Sequence, residues 1–412
     1  MNDSSRWITT HQAADLLGVK AETVYAYVSR GVLQRHRGED RRSSRFDRVE
    51  VERLAQRNRR GGRAGALEVV IDTELTLLDP EGGLYYRGND ATELARTRRF
   101  EEVAELLWAP GSDDAVRRGG RRTASSEPWP TRPAAVDVGR RAQDALPASA
   151  RVVDRMRVVV AAVAATDPMR DDRRPAAVAA TARALIAETI ECLPELSPVR
   201  GLSIAERLWS RLADRPPRRG EIRALDAALI LMADHELAAS TFAARVAASV
   251  WADPYLVVLT GLAAGSGALH GASASAVEAL LREVRRPDDV PRLVGERLRR
   301  GEVLPGFGHA VYTRRDPRAD VLLELTRAAG RQGKVDAIAE ELLTVVGRHA
   351  GPAPNIDFAL AFLAVKFGLT SGASEVIFLL GRMAGLIAHA LEEYPHRLRY
   401  RPRALYTGPP PR

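Results

Sequence analysis

A single cysteine, Cys192, occurs among 412 residues, so no disulfide can close within the chain and no cysteine-based metal cluster can assemble. Aromatic residues make up only 5%, and lysine is almost absent, arginine supplying nearly all of the basic charge. No run of eighteen apolar residues occurs, and the opening MNDSSRWITT lacks a basic-then-apolar leader pattern, so a cytoplasmic protein without a membrane partner is expected. The strings HExxH and GxxxxGK are missing, and the Gly-x-Gly strings lack the third glycine of a dinucleotide fingerprint. A metal site built from His270, His309 and Asp357 would have no recognised ligand spacing.

What is present is alanine- and leucine-rich, with 45% hydrophobic and 28% charged residues, a balance that points to a mainly helical globular protein of two or three domains. The net charge of +8 is unevenly spread. Residues 1–65 hold 14 Lys and Arg against 8 Asp and Glu, whereas the other 347 residues hold 47 against 45. The basic character belongs to the N-terminal segment.

That segment has its own pattern. Thr9 or Thr10 can cap a helix with Ala13, Ala14 and Leu17 on one face, Gly18 turns the chain, and a second helix is predicted over 21–30 with Val24 and Val28 inward. A hairpin-like stretch from Leu33 to Phe46 follows, and Asp47 to Glu50 reads as a capping box opening a third helix through Val51, Leu54 and Ala55. The pattern, with Thr23-Val24-Tyr25 in the second helix and Ser44-Arg45-Phe46 after an arginine-rich wing, resembles excisionase and MerR-type winged helix-turn-helix domains. The resemblance implies DNA as a partner, with Thr23, Tyr27 and Arg30 facing the major groove and Arg41, Arg42 and Arg45 facing phosphates. The alternative is a solvated basic face on a module used for oligomerisation or regulation.

Arg57 to Gly65 reads as a linker by composition. Leu67 to Tyr86 alternates apolar and polar residues about Asp-Pro-Glu-Gly-Gly, which predicts a β-hairpin, and a helix containing Phe100, Val103, Leu106, Leu107 and Trp108 follows. Residues 109–140, rich in Arg, Pro, Ser and Gly, read as a loop; from Ala145 to Leu231 amphipathic helices are expected, broken near Asp167-Pro168, Leu193 to Pro198 and Arg215 to Pro217.

The chemistry gathers further on, around Pro305-Gly306-Phe307-Gly308-His309 and Asp316-Pro317-Arg318. Glycines on both sides of one aromatic allow a tight turn that delivers a histidine, and an arginine nine residues later suits a small anionic, carbonyl-bearing substrate. Three other strings carry candidate groups: Asp234-His235-Glu236, Leu269-His270-Gly271 and Pro354-Asn355-Ile356-Asp357. Each has a plainer reading as a surface histidine, a helix-end cap and an N-cap aspartate. Asp357 stands out because its apolar neighbours would raise its pKa and make it a better base.

Taken together, in this order, the strings resemble the citrate synthase family, over about residues 66 to 412. The resemblance implies a fold of a large helical domain (61–273 and 380–412) and a smaller closing domain (274–379), preceded by the winged helix-turn-helix at 1–60. It implies condensation of acetyl-CoA with oxaloacetate and water to citrate and CoA, a step of the tricarboxylic acid cycle, with acetyl-CoA as co-substrate and no cofactor. Asp357 would be the base, and His270 and His309 the hydrogen-bond and proton donors. His235, Arg318, Arg382 and Arg401 would hold oxaloacetate, the last from a partner subunit, which implies a homodimer; Val311, Tyr312 and Arg314 would face CoA. Ala238 and Ala274 stand where many members have Asn, and Thr313 stands where a Lys is expected, with Arg314 or Arg315 as substitute cations. Two other functions fit: 2-methylcitrate synthase, using propionyl-CoA, and a DNA-binding regulator with a synthase-like metabolite-sensing domain.

Overall fold

The computed structural model describes residues 7–17, 33–37, 44–52, 71–79, 81–109, 127–199, 201–349, 351–396 and 399–401, with 19, 24, 28 and 408 singly. The chain divides into two compact units, Met1–Asp72 and Thr73–Arg412.

In the first unit Thr9 and Gln12 close a capping box, Gln12 Oε1 accepting from Thr9 N–H at 2.9 Å and Thr9 Oγ1 from Gln12 N–H at 3.3 Å. This box starts the helix Thr10–Leu17, whose buried face is Ala13, Ala14 and Leu17 as its spacing predicts. The strand Ser44–Asp47 is central, with His36–Arg37 on one side and Trp7–Thr9 on the other, both antiparallel. The strand at Trp7–Thr9 is not foreseen by sequence, because three residues carry no alternation to read and its partners, Asp47, Phe46 and Arg45, lie far along the chain. Ile8, Val24, Leu33, Phe46 and Val51 join the helix face in one small core. Arg45 lies half-buried on the central strand, on the face opposite Ser44 and Phe46. Thr23, Tyr27, Arg30, Arg41 and Arg42 lie outside the described residues.

In the second unit the predicted hairpin is present as Thr76–Asp79 paired with Gly83–Tyr86, and Asn89–Asp90 adds a short third strand. The expected loop at 109–140 is corrected at its end: a helix runs over Pro133–Asp144. Its proline occupies the first turn, where no N–H is needed, and Ala135, Gly139 and Gln143 face inward, so a composition that reads as loop starts a helix. The breaks expected near 167, 193 and 215 separate the helices Val152–Ala164, Pro175–Cys192, Ile204–Leu212 and Glu221–Met232.

One hydrophobic core continues from Leu75 to Tyr394, and its spine is the helix Ala373–Glu393. Among the described residues this is the one helix long and apolar enough to cross a membrane, but 94% of its apolar window is buried inside the protein, which makes it a core helix. It crosses Glu221–Met232 so closely that Gly385 N–H donates to Ala233 O at 2.9 Å. Residue 379, the expected end of the closing domain, lies inside this helix. Around the spine pack Ala239–Ser249, Pro254–Gly265, Ser273–Glu283 and Ile356–Lys366, and the last also packs on Pro317–Ala328. The N-terminal ends of Pro317–Ala328 and Ile356–Lys366 carry the groups that matter next.

Candidate active site

The turn at Gly306 to His309 requires its glycines. Gly306 and Gly308 have φ of +87° and +76°, and a Cβ on Gly306 would lie 2.9 Å from Val277 and 3.0 Å from Phe358. The turn is stitched to the segment before Asp357: Gly308 N–H donates to Ala353 O at 2.8 Å, Asn355 N–H to Gly306 O at 2.9 Å, and Asn355 Nδ2 to Gly308 O at 2.8 Å. Asn355, not Asp357, caps the helix Ile356–Lys366, its Oδ1 accepting from Asp357 and Phe358 N–H. Asp357 is thus free of capping duty. Gly306→Ala is expected to destabilise the protein by about 2 kcal/mol or more through the left-handed backbone and the clash, and to depress turnover by shifting His309 from Asp357; thermal unfolding and activity check it together.

Asp316 is the second joint. Its carboxylate takes Arg318 in a fork, from Nε at 2.9 Å and Nη2 at 2.8 Å, and also accepts from Ile356 N–H at 3.0 Å. Both side chains are buried. Burial alone would raise the Asp316 pKa, but Arg318 outweighs it and holds the carboxyl below its ordinary value.

His309 is oriented from both sides. Its Nδ1 accepts from Val311 N–H at 3.0 Å and Tyr312 N–H at 3.3 Å, which places the proton of the neutral ring on Nε2. That nitrogen lies 3.1 Å from Arg318 Nη2. Two donors face one another. Burial, then the Arg318 charge, lowers the His309 pKa to about 4, so the ring is neutral at pH 7. His235 is buried edge-on to it, ring centroids 5.3 Å apart, with Nε2 3.2 Å from Tyr312 Oη. Burial, then Arg318 and Arg382, lowers its pKa well below the usual value.

On the other side His270 Nε2 lies 2.9 Å from Ser240 Oγ, and the His270 ring meets Phe378 edge-on at 5.5 Å. Burial, then Arg382, lowers its pKa to about 4. Arg382 is itself buried; Nε donates to Met232 O at 2.9 Å, and Nη1 has no partner among the described residues. Burial pulls its pKa down. Burial pushes Asp357 up to about 6, against a hydrogen bond from Ser273 and the charge of Arg318. The result is a set of three neutral imidazoles, one weakened carboxylic acid and a buried guanidinium whose Nη1 has no partner among the described residues. It can take a proton, give one, and hold an anion.

A family model described as citrate synthase, C-terminal domain, matches residues 66–403. The chain belongs to the citrate synthase family. A second model, described as a helix-turn-helix domain, matches residues 7–59 ahead of the synthase region. The chain is 32% identical over 369 residues to a citrate synthase of Haloferax volcanii, covering 82% of this chain and 94% of that one. It is 30% identical over 362 residues to a 2-methylcitrate synthase of Mycobacterium tuberculosis, covering 84% and 90%. Among solved structures, citrate synthase from Thermotoga maritima superposes with a TM-score of 0.67 at 27% identity, covering 85% of this chain and 96% of that one. A ternary complex of carboxymethyl coenzyme A and oxaloacetate with citrate synthase from Thermoplasma acidophilum also gives 0.67, at 26% identity and with 84% and 95% covered. The family is one of acyl-transferring enzymes, and the helical fold read from sequence is the synthase fold.

Within this synthase chain the structure brings His235, His309, Arg318 and Tyr312 into one cluster, and the charge of Arg382 reaches both His235 and His270. Tyr312 and Arg314 line an open cleft with Arg315 and Pro352; the Tyr312 ring itself is buried against His235 and His309. Arg314 is exposed and lies 3.4 Å from Glu81. Val311 acts through its N–H on His309. Arg401 is exposed near the end of the chain and is not among the groups gathered in this cluster. Sequence reading gave no role to Ser240, Asp316, Asn355 and Asp234, which orient the others, although Asp234, Asp316 and Asn355 sat inside the strings that carry the candidate groups. Among the described residues no three His, Cys, Asp or Glu side chains converge as a metal site.

Proposed function

We propose that the enzyme condenses acetyl-CoA with oxaloacetate and hydrolyses the product thioester, giving citrate and CoA. One observation carries the reading: His309 Nε2–H and Arg318 Nη2 face each other as donors 3.1 Å apart, an arrangement that an oxygen of an anionic, carbonyl-bearing substrate resolves. The Asp357 carboxylate takes a proton from the acetyl methyl group. Ser240 donating to His270 Nε2 leaves the imidazole proton on Nδ1, as the donor to the thioester oxygen where enol charge develops. The enol carbon attacks the oxaloacetate carbonyl carbon, and His309 Nε2 gives its proton to the resulting alkoxide oxygen. Water then cleaves the thioester. His235, Arg318 and Arg382 hold the dicarboxylate, joined by Arg401 of the partner subunit in a homodimer, while Val311, Tyr312 and Arg314 flank CoA. The 274–379 segment closes over the substrates and excludes water. The group needs no metal or cofactor.

Similarity to a 2-methylcitrate synthase at 30% identity keeps propionyl-CoA as a second acyl donor, since one methylene changes binding by only about 1 to 3 kcal/mol. The helix-turn-helix match supports a DNA contact by Thr23, Tyr27, Arg30, Arg41, Arg42 and Arg45, and with it a regulatory use of the synthase part as a metabolite sensor. Free-CoA release by the full-length protein with oxaloacetate, acetyl-CoA against propionyl-CoA, decides the reaction and its donor. Absence of release with both donors sinks the enzymatic reading in favour of the sensor. For the N-terminal unit, Arg41→Ala with Arg42→Ala is expected to weaken DNA binding and flatten its salt dependence; wild-type protein with no salt-sensitive DNA binding overturns that role.

A further inference from the structure

Behind His235 lies a row of buried charged groups that the reaction itself does not use. Asp234, immediately before His235, accepts at Oδ2 from Thr76 Oγ1 at 2.6 Å and from Glu236 N–H at 3.1 Å. Glu236 has φ of +53°, an uncommon conformation for a glutamate, so this carboxylate pins the His235 loop in a strained shape. His389 Nε2 lies 3.2 Å from the same oxygen. Its Nδ1 lies 3.3 Å from Arg245 Nη1, and because arginine can only donate, the His389 proton must sit on Nε2 and point at Asp234. Arg245, fully buried, donates through Nε to Glu393 Oε2 at 2.9 Å and through Nη1 to Glu392 Oε2 at 2.7 Å. Glu393 Oε2 also accepts from Tyr400 Oη at 2.8 Å. Tyr400 immediately precedes Arg401. The groups thus form an unbroken run of hydrogen bonds from the His235 loop of one site to the residue before Arg401, which belongs to the clamp of the partner's site.

We infer that Asp234, His389, Arg245, Glu393 and Tyr400 form a positioning relay that sets the His235 loop according to how the Arg401-bearing segment is seated. The inference rests on the reading above that His235 and Arg401 bind oxaloacetate. Asp234, His389, Arg245 and Glu393 are buried and Tyr400 is half-buried, so the links between the first four are strong in low-dielectric surroundings and breaking one leaves an unpaired polar group. None of its members touches substrate. They act by coupling the His235 loop of one site to the segment whose arginine enters the partner's site. Arg245 also lies on the helix Ala239–Ser249 that carries Ser240, so a shift of the relay would be felt at His270 as well.

The test uses the full-length protein with three variants and reads oxaloacetate binding by calorimetry beside steady-state kinetics. Tyr400→Phe removes only the end hydroxyl; His389→Leu cuts the middle; His389→Gln restores a donor toward Asp234 and an acceptor toward Arg245. The expected result is oxaloacetate affinity weakened about threefold or more by Tyr400→Phe and tenfold or more by His389→Leu. His389→Gln should recover most of the loss, and KM for the acyl-CoA should stay within about twofold throughout. A merely structural role would move all parameters together. Oxaloacetate binding unchanged in Tyr400→Phe, or equal losses in His389→Leu and His389→Gln, overturns the relay. If His389→Leu does not fold, Tyr400→Phe alone decides. Failure of the wild-type protein to bind oxaloacetate would instead overturn the underlying functional reading, a distinct outcome.

Discussion

Asp357→Asn is expected to lower kcat by about 10² to 10⁴-fold while leaving oxaloacetate affinity within a few fold, because general-base removal costs rates of that order and Asp357 makes no contact that holds the His309 turn in place. The structure gives that separation a concrete basis. The stitching between turn and helix belongs to Asn355 and Asp316, so a neutral, nearly isosteric amide at 357 leaves it intact. Retained turnover above a tenth of wild type would remove Asp357 from the role of base.

The same residue sets the pH behaviour. With the carboxyl pushed up to about 6, kcat is expected to fall tenfold per pH unit below that value as the base becomes protonated. His270 and His309, lowered to about 4, stay neutral through this window and add no limb of their own above pH 5. Stability runs the other way. A carboxyl whose folded pKa lies above its unfolded value destabilises the fold where it is ionised, above pH 6, and that penalty disappears as pH falls through 6 toward 4. Asp357→Asn removes the penalty altogether, so the inactive variant should melt at the same temperature as wild type or higher at pH 8. Thermal unfolding at pH 5 and pH 8 checks the sign.

How far sequence reaches into this site follows from distance along the chain. Gly306 to Arg318 and Pro354 to Asp357 are contiguous strings, and their local geometry depends on glycine backbone freedom and capping side chains that can be read in place. The helix Thr10–Leu17 announces itself by spacing for the same reason. What escapes is held by long-range pairing. Thr76 meets Asp234 across 158 residues and Arg245 meets Glu393 across 148, and no periodicity marks either partner. Ser240 reaches His270 across 30 residues, and the strand Trp7–Thr9 exists only because Ser44–Asp47 supplies its hydrogen bonds. The helix Pro133–Asp144 escapes differently: its arginine- and proline-rich surroundings carry the composition of a loop, while three inward residues suffice to bury one face.

The two buried arginines look alike in sequence, and the structure separates them. Arg318→Met is expected to cost about 3 to 5 kcal/mol of stability, since it strands the buried Asp316 carboxylate and loosens the joint at Ile356 N–H. Arg382→Met should cost far less, or raise the melting temperature. Its guanidinium has one carbonyl partner, no carboxylate within hydrogen-bonding distance among the described residues, and a pKa pulled down by burial, the mark of a cation that the folded protein holds at a cost. The thioether keeps most of the packing volume while removing the charge. Substrate binding should show the opposite contrast to stability. Loss of a buried, otherwise unpaired donor facing an anionic ligand removes about 2 to 5 kcal/mol, so oxaloacetate should bind Arg382→Met at least thirtyfold more weakly in a protein that is otherwise fully folded. Calorimetric titration and thermal unfolding of both variants separate the roles. An Arg382→Met protein that unfolds as readily as Arg318→Met would show that this guanidinium is part of the scaffold, and one that binds oxaloacetate normally would take it out of the clamp.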